Sequence, residues 1–141
     1  MKSFFSPSPL WFDNGIAFVR IFLGLLIVFH GMEVFNREIM NSYLQWDNFK
    51  DPSAKFLVYM GKASEFTVGV LLTLGLLTRV GSLMAMGTFS YITFFVGGGR
   101  FWYEDQHPFM FTLFGLMFFF TGPGTWSLDQ LIFKPKQKGI S

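Results

Sequence analysis

From Gly15 to Phe35 the chain is almost wholly apolar, interrupted by Arg20 and closed by His30 and Glu33. A helix of this length is about long enough to cross a ~30 Å hydrocarbon core. Three further apolar runs follow, at about residues 56–78, 80–96 and 107–121. Backbone groups in lipid must bond within their own segment, and four helical spans satisfy that. The expected fold is all-α, an integral membrane four-helix bundle forming one domain over residues 1–141.

Composition agrees. The chain carries 21 Phe and is 51% apolar and 14% charged, against roughly 25% charged in soluble domains. A small soluble domain leaves too much surface wet to hide so many rings. Cysteine is absent, which excludes thiol redox chemistry, disulfides, thiolate-held iron–sulfur clusters and Cys-type zinc sites. A net charge of +2 without a basic stripe argues against nucleic acid. The N-terminus lacks a small-residue cleavage site, so the first apolar run reads as a retained helix.

The punctuation places the elements. Asp13 or Asn14 is expected to cap the first helix. Residues 36–48 hold Ile39, Met40, Tyr43 and Leu44 in a rough helical stripe, read as a short interfacial helix in the first loop. Asp51-Pro52 is a helix start, and the second long helix is expected to run to Thr78, with Lys55 and Lys62 outside the core. Gly97-Gly98-Gly99 ends the third span, His107-Pro108 opens the fourth and Gly122-Pro123-Gly124 stops it. Ser127-Leu128-Asp129-Gln130 resembles a capping box opening a short C-terminal helix. Trp11 and Trp126 fall at one membrane surface, Trp46 and Trp102 at the other. Basic residues divide evenly between the two sides. The compact tail Lys134, Lys136, Lys138 favours cytoplasmic termini.

Ionisable groups near hydrocarbon each need a partner. Arg20 is expected to reach the headgroups, to bond carbonyls near Gly122-Pro123-Gly124, or to pair with Asp129. Glu65 and Arg79 share a face of the second helix near opposite ends, and Lys62 offers Glu65 a local ion pair. An even number of crossings gathers His30, Glu33, Glu65, Arg100, Glu104 and His107 at one end of the bundle. A carboxylate and a His beside an apolar slot can exchange protons with a quinone head group. Two His with Glu ligands could instead hold a divalent metal, and two His a haem. The spacing singles out none of these. No metal or resident cofactor is assigned.

Arg20 with Gly24, His30-Gly31, Glu65-x-x-x-Gly69, Leu74-Gly75-Leu76-Leu77-Thr78-Arg79, Glu104-x-x-His107-Pro108 and Gly122-Pro123-Gly124-x-x-Ser127-Leu128-Asp129 together resemble the DoxX family over about residues 15–130. One position departs: many members carry a Lys soon after the His-Gly pair, where this chain has Glu33. The resemblance implies a small four-helix protein of the bacterial inner membrane, and some relatives are similar to thiosulfate:quinone oxidoreductase subunits. The expected role is a subunit or accessory of a quinone-linked redox system, with quinone as substrate. His30, Glu65, Glu104 and His107 would line the catalytic end, with Arg20, Arg79 and Asp129 in structural pairing. The alternative is a non-catalytic structural or assembly subunit. Expected partners are membrane lipid and either a protein subunit or further copies of the chain.

Overall fold

A computed structural model describes residues 6–51 and 54–133. The expected helix start at Pro52 and the tail Lys134, Lys136 and Lys138 lie outside the described residues. All regular structure among the described residues is helical: α1 (Phe12–Gly31), α2 (Arg37–Tyr43), α3 (Ala54–Leu74), α4 (Thr78–Tyr91), α5 (Gln106–Thr121) and α6 (Leu128–Phe133). Short 3-10 turns cover Met32–Phe35 and Asp47–Phe49.

Helix α1 begins at Phe12 without a side-chain cap, after a left-handed Trp11 (φ 46°). Asp13 and Asn14 therefore do not cap it. The C-terminal loop is docked there instead: Thr125 donates its N–H to the Asp13 carbonyl (3.1 Å) and its hydroxyl to Asn14 Oδ1 (2.7 Å). Asn36 caps α2, its Oδ1 accepting from the N–H groups of Glu38 and Ile39.

Helix α3 ends at Leu74, short of Thr78, because Gly75 is left-handed (φ 61°). The Leu76 N–H donates to the Leu71 carbonyl and the Gly75 N–H to the Leu72 carbonyl, a Schellman closure. Helix α4 starts at Thr78, and its last turn, Ile92–Val96, widens to a π-helix. Ser127 Oγ accepts from the Gln130 N–H at the start of α6, as a capping box requires. The Gln130 side chain donates to the Gly124 carbonyl (2.8 Å) rather than returning to Ser127.

In packing order α1 lies on α3, α3 on α4 and α4 on α5, with a lighter contact between α5 and α1. Glycines allow the α1–α3 approach. A Cβ on Gly31 would strike the Phe66 backbone, one on Gly24 the Thr73 backbone, and one on Gly69 the Val28 backbone. The shared core is Leu23, Ile27, Val68, Leu72, Ala85, Phe89, Phe111 and Phe118. The outward faces remain apolar: Phe18, Phe22 and Phe29 on α1 and Leu113, Leu116 and Phe120 on α5 are all exposed.

Candidate functional site

Two polar centres stand along α3, one at its last turn and one at its middle. The first surrounds Arg20, which is fully buried. A guanidinium has five N–H donors, and five carbonyls meet them here. Nε donates to Pro123 (2.8 Å). Nη1 donates to Leu72, in a short contact, and to Thr73 (3.1 Å). Nη2 donates to Trp126 (2.9 Å) and Thr125 (3.4 Å). The Leu72 and Thr73 carbonyls belong to the last turn of α3, where helix carbonyls lack intrahelical partners and a cation is favoured. Asp129 does the converse for α4, accepting from the Leu77 N–H (2.6 Å) and the Thr78 N–H (2.8 Å). Arg79 is exposed and makes no hydrogen bond or ion pair among the described residues, so it takes no part in this centre.

The second centre is built from the 3-10 turn after α1, from α2 and from α3. Lys62 Nζ lies 2.8 Å from Glu33 Oε2 and 3.0 Å from Glu65 Oε2. The Tyr43 hydroxyl donates to Glu33 Oε2 (2.6 Å), and Lys62 sits 5.0 Å from the centre of the Tyr43 ring. Glu65 is buried, and the side chains of Lys62 and Glu33 are 13% and 24% exposed. These values separate the cluster from an exposed surface pair of marginal worth. Burial, and then the hydrogen bond to Glu33, push the Tyr43 phenol above its ordinary range.

Tyr43, Lys62 and Glu65 of this cluster give a polar end to a cleft of about 620 Å³ between α3 and α4, within the size range of small-molecule sites. Tyr43, Trp46 and Phe49 of the first loop and Tyr91, Ile92 and Val96 from the end of α4 and its π-helix give it a largely apolar, aromatic wall. Gly61 and Gly87 face open space there; a Cβ on either would meet nothing within 4 Å. Ser64 and Thr88 join hydroxyls across the two helices (2.6 Å).

The predicted catalytic residues are not all assembled in this cleft. Glu65 lines it. His30 and His107 are paired with each other between α1 and α5, ring centres 5.6 Å apart, and His107 also packs edge-on to Phe111. Neither imidazole lines the cleft. Glu104 is exposed and bonded to Arg100 (3.0 Å), outside both the pair and the cleft. No group of three metal-ligating side chains occurs among the described residues. The sequence placed Glu33 near Glu65 and offered the Lys62–Glu65 ion pair, which is present; it did not mark Tyr43, or Lys62 as the bridge between the two carboxylates, as members of the site. The cluster's signal was present: a carboxylate just past one apolar run, and a Lys and a Glu three residues apart inside the next.

The DoxX family model matches residues 15–98. The chain belongs to the DoxX family. The matched stretch holds Arg20, His30, Glu33, Lys62 and Glu65, while Glu104, His107 and Asp129 lie beyond it. Neither curated proteins nor solved structures give a match. DoxX membership points to a membrane protein, and α1 with its 3-10 extension (Phe12–Phe35) and α3 are the two described helices long and apolar enough to cross a membrane.

Proposed function

We propose that this DoxX protein is a membrane-embedded subunit or accessory of a quinone-linked redox system, with quinone held in the α3–α4 cleft. The observation that carries this reading is the Glu33–Lys62–Glu65 cluster, whose Lys62 and Glu65 line an aromatic-walled cavity. Aromatic walls suit a ring, and buried ionisable groups suit proton exchange with its oxygens. Reduction of a quinone to a quinol takes two electrons and two protons. The electrons come from the redox centre of a partner subunit. Glu65 passes a proton to the ring oxygen during reduction and is left ionised beside the quinol. The second proton is assigned to water by way of the His30–His107 pair, which is exposed at His107.

In this reading the membrane is crossed four times, by α1, α3, α4 with its π-helix, and α5. Only 33% of the apolar window in α1 and 28% of that in α3 are buried. A core helix of a water-soluble protein would be mostly covered; lipid is the solvent that suits these faces. With 16 residues, α5 spans only about 24 Å, so the bilayer thins beside it. The bacterial inner membrane, with both termini cytoplasmic, completes the proposal. Glu104 serves there as a surface partner of Arg100.

The test is donor-dependent quinone reduction in membranes carrying Glu65→Gln or His107→Ala. Both variants should slow turnover. Unchanged turnover in both overturns the reading. An assembly role is the second reading, favoured by the exposed apolar Leu131, Ile132 and Phe133 of α6. It predicts co-purification with partner subunits and no bound quinone.

A further inference from the structure

The polar end of the cleft has a direction in its hydrogen bonding. An ammonium has three protons. Lys62 directs its charge at Glu33 Oε2 and Glu65 Oε2 and stands over the Tyr43 ring. All three sides of the cation are thus engaged inside the protein. Glu33 is engaged too: its Oε2 accepts from both Tyr43 and Lys62. Glu65 is different. Its Oε2 accepts from Lys62, but Oε1 has no protein donor among the described residues. Nor is that oxygen sealed away, because Thr78 Oγ1 alone is a buried side-chain polar atom without a partner among the described residues. Glu65 lines the cleft, so the cleft is where Oε1 meets a ligand.

Charge points the same way. Two carboxylates share one ammonium, leaving one excess negative charge when both are ionised. An acceptor-rich, negative end attracts a hydrogen-bond donor and repels anions. The Ser64–Thr88 hydroxyl pair uses one proton internally and keeps one, so it serves either a donor or an acceptor.

We infer that the cleft selects a neutral aromatic ring bearing hydroxyl donors, the quinol or phenol form, over the oxidised quinone, through a hydrogen bond to Glu65 Oε1. This rests on the quinone site proposed above and adds which redox form it holds. A quinone presents only carbonyl acceptors, and Lys62, though it lines the cleft, already directs its protons at Glu33, Glu65 and the Tyr43 ring. A hydroxyl donating to a carboxylate makes a charge-assisted bond, stronger than a neutral one. The preference makes the site one that retains the reduced ring.

The full chain in lipid nanodiscs, kept anaerobic, is titrated with three probes by calorimetry: a decyl-tailed benzoquinone, its quinol, and the dimethyl ether of that quinol. The quinol should bind about tenfold tighter than the quinone, as expected of a hydrogen bond to a charged acceptor. The dimethyl ether, with the same ring and no donor, should bind no better than the quinone. Glu65→Gln should bring quinol and quinone to within about twofold of each other, because a neutral amide both donates and accepts. Equal binding of quinol and quinone by the unaltered protein, or an ether as tight as the quinol, overturns this inference and leaves the quinone site standing. Absence of binding by all three probes overturns the quinone site itself. If Glu65→Gln does not fold, the ether comparison on the unaltered protein decides alone.

Discussion

Arg20 and Asp129 close the two ends of one turn: the guanidinium takes the last carbonyls of α3, and the carboxylate takes the first N–H groups of α4. Between them stand only Gly75, Leu76 and Leu77, with Gly75 and Leu77 in the left-handed region. Cation at a helix C-terminus and anion at a helix N-terminus is the arrangement the helix dipole favours. Neither charged residue belongs to α3 or α4.

Replacing Arg20 with Met should destabilise the protein by about 3 kcal/mol or more, since five carbonyls lose their donors. Arg20→Lys should recover less than half of the loss, because one ammonium cannot reproduce the planar fork. Thermal unfolding in detergent measures both.

Asp129→Ala should cost about 1–2 kcal/mol, the usual worth of a helix N-cap. Measured together with Arg20→Met in a double-mutant cycle, the two losses should be non-additive, because both residues hold the same turn.

Gly31→Ala should lower stability by about 2 kcal/mol through overpacking against the Phe66 backbone. Gly61→Ala, with open space around it, should be neutral or stabilising by up to about 1 kcal/mol. Comparing the two melting temperatures isolates the helix crossing from helix propensity.

Gly87→Leu should keep the melting temperature and weaken binding of a ring-bearing ligand by at least about tenfold, because its side chain occupies the cleft. Calorimetric titration of the variant beside the unaltered protein reads the difference.

Tyr43→Phe removes a phenol whose folded-state value lies above its unfolded one. A group raised in this way contributes stability that is fully present below the unfolded value of about 10 and is lost as the pH rises through the folded value. The unaltered protein should therefore lose its advantage over Tyr43→Phe only in alkali. Unfolding of the two proteins from pH 7 to 11 checks this, and a constant difference across that range contradicts it.

The helices were legible because apolar run length is a local property of the sequence, and each of the four expected runs corresponds to a helix. Their ends were less so. Leu74-Gly75-Leu76-Leu77 reads as continuous hydrophobic chain, and only the left-handed Gly75 breaks it. Asp13 looked like a cap because its side chain suits one. The docking of Thr125 on that turn depends on a residue more than a hundred positions away. Arg20 was recognised as needing partners, and carbonyls near the Gly122-Pro123-Gly124 break were among those considered; the α3 carbonyls were not. Lys62 was read as lying outside the hydrocarbon core because the expected helix is longer than a bilayer requires. Its burial follows from Glu33 reaching it from α1's extension, and pairing between elements leaves little trace in spacing along one of them.

The socket around Arg20 consists of main-chain oxygens, which every kind of amino acid possesses. Evolution can therefore exchange the side chains at 72, 73, 123, 125 and 126 without emptying it. Inserting or deleting a single residue in the loop after α5 is another matter, since that would slide three of the five oxygens out of reach. The constraint here falls on chain length and path rather than on letters, and a survey of tolerated changes should find substitutions common and indels lethal across 122–127.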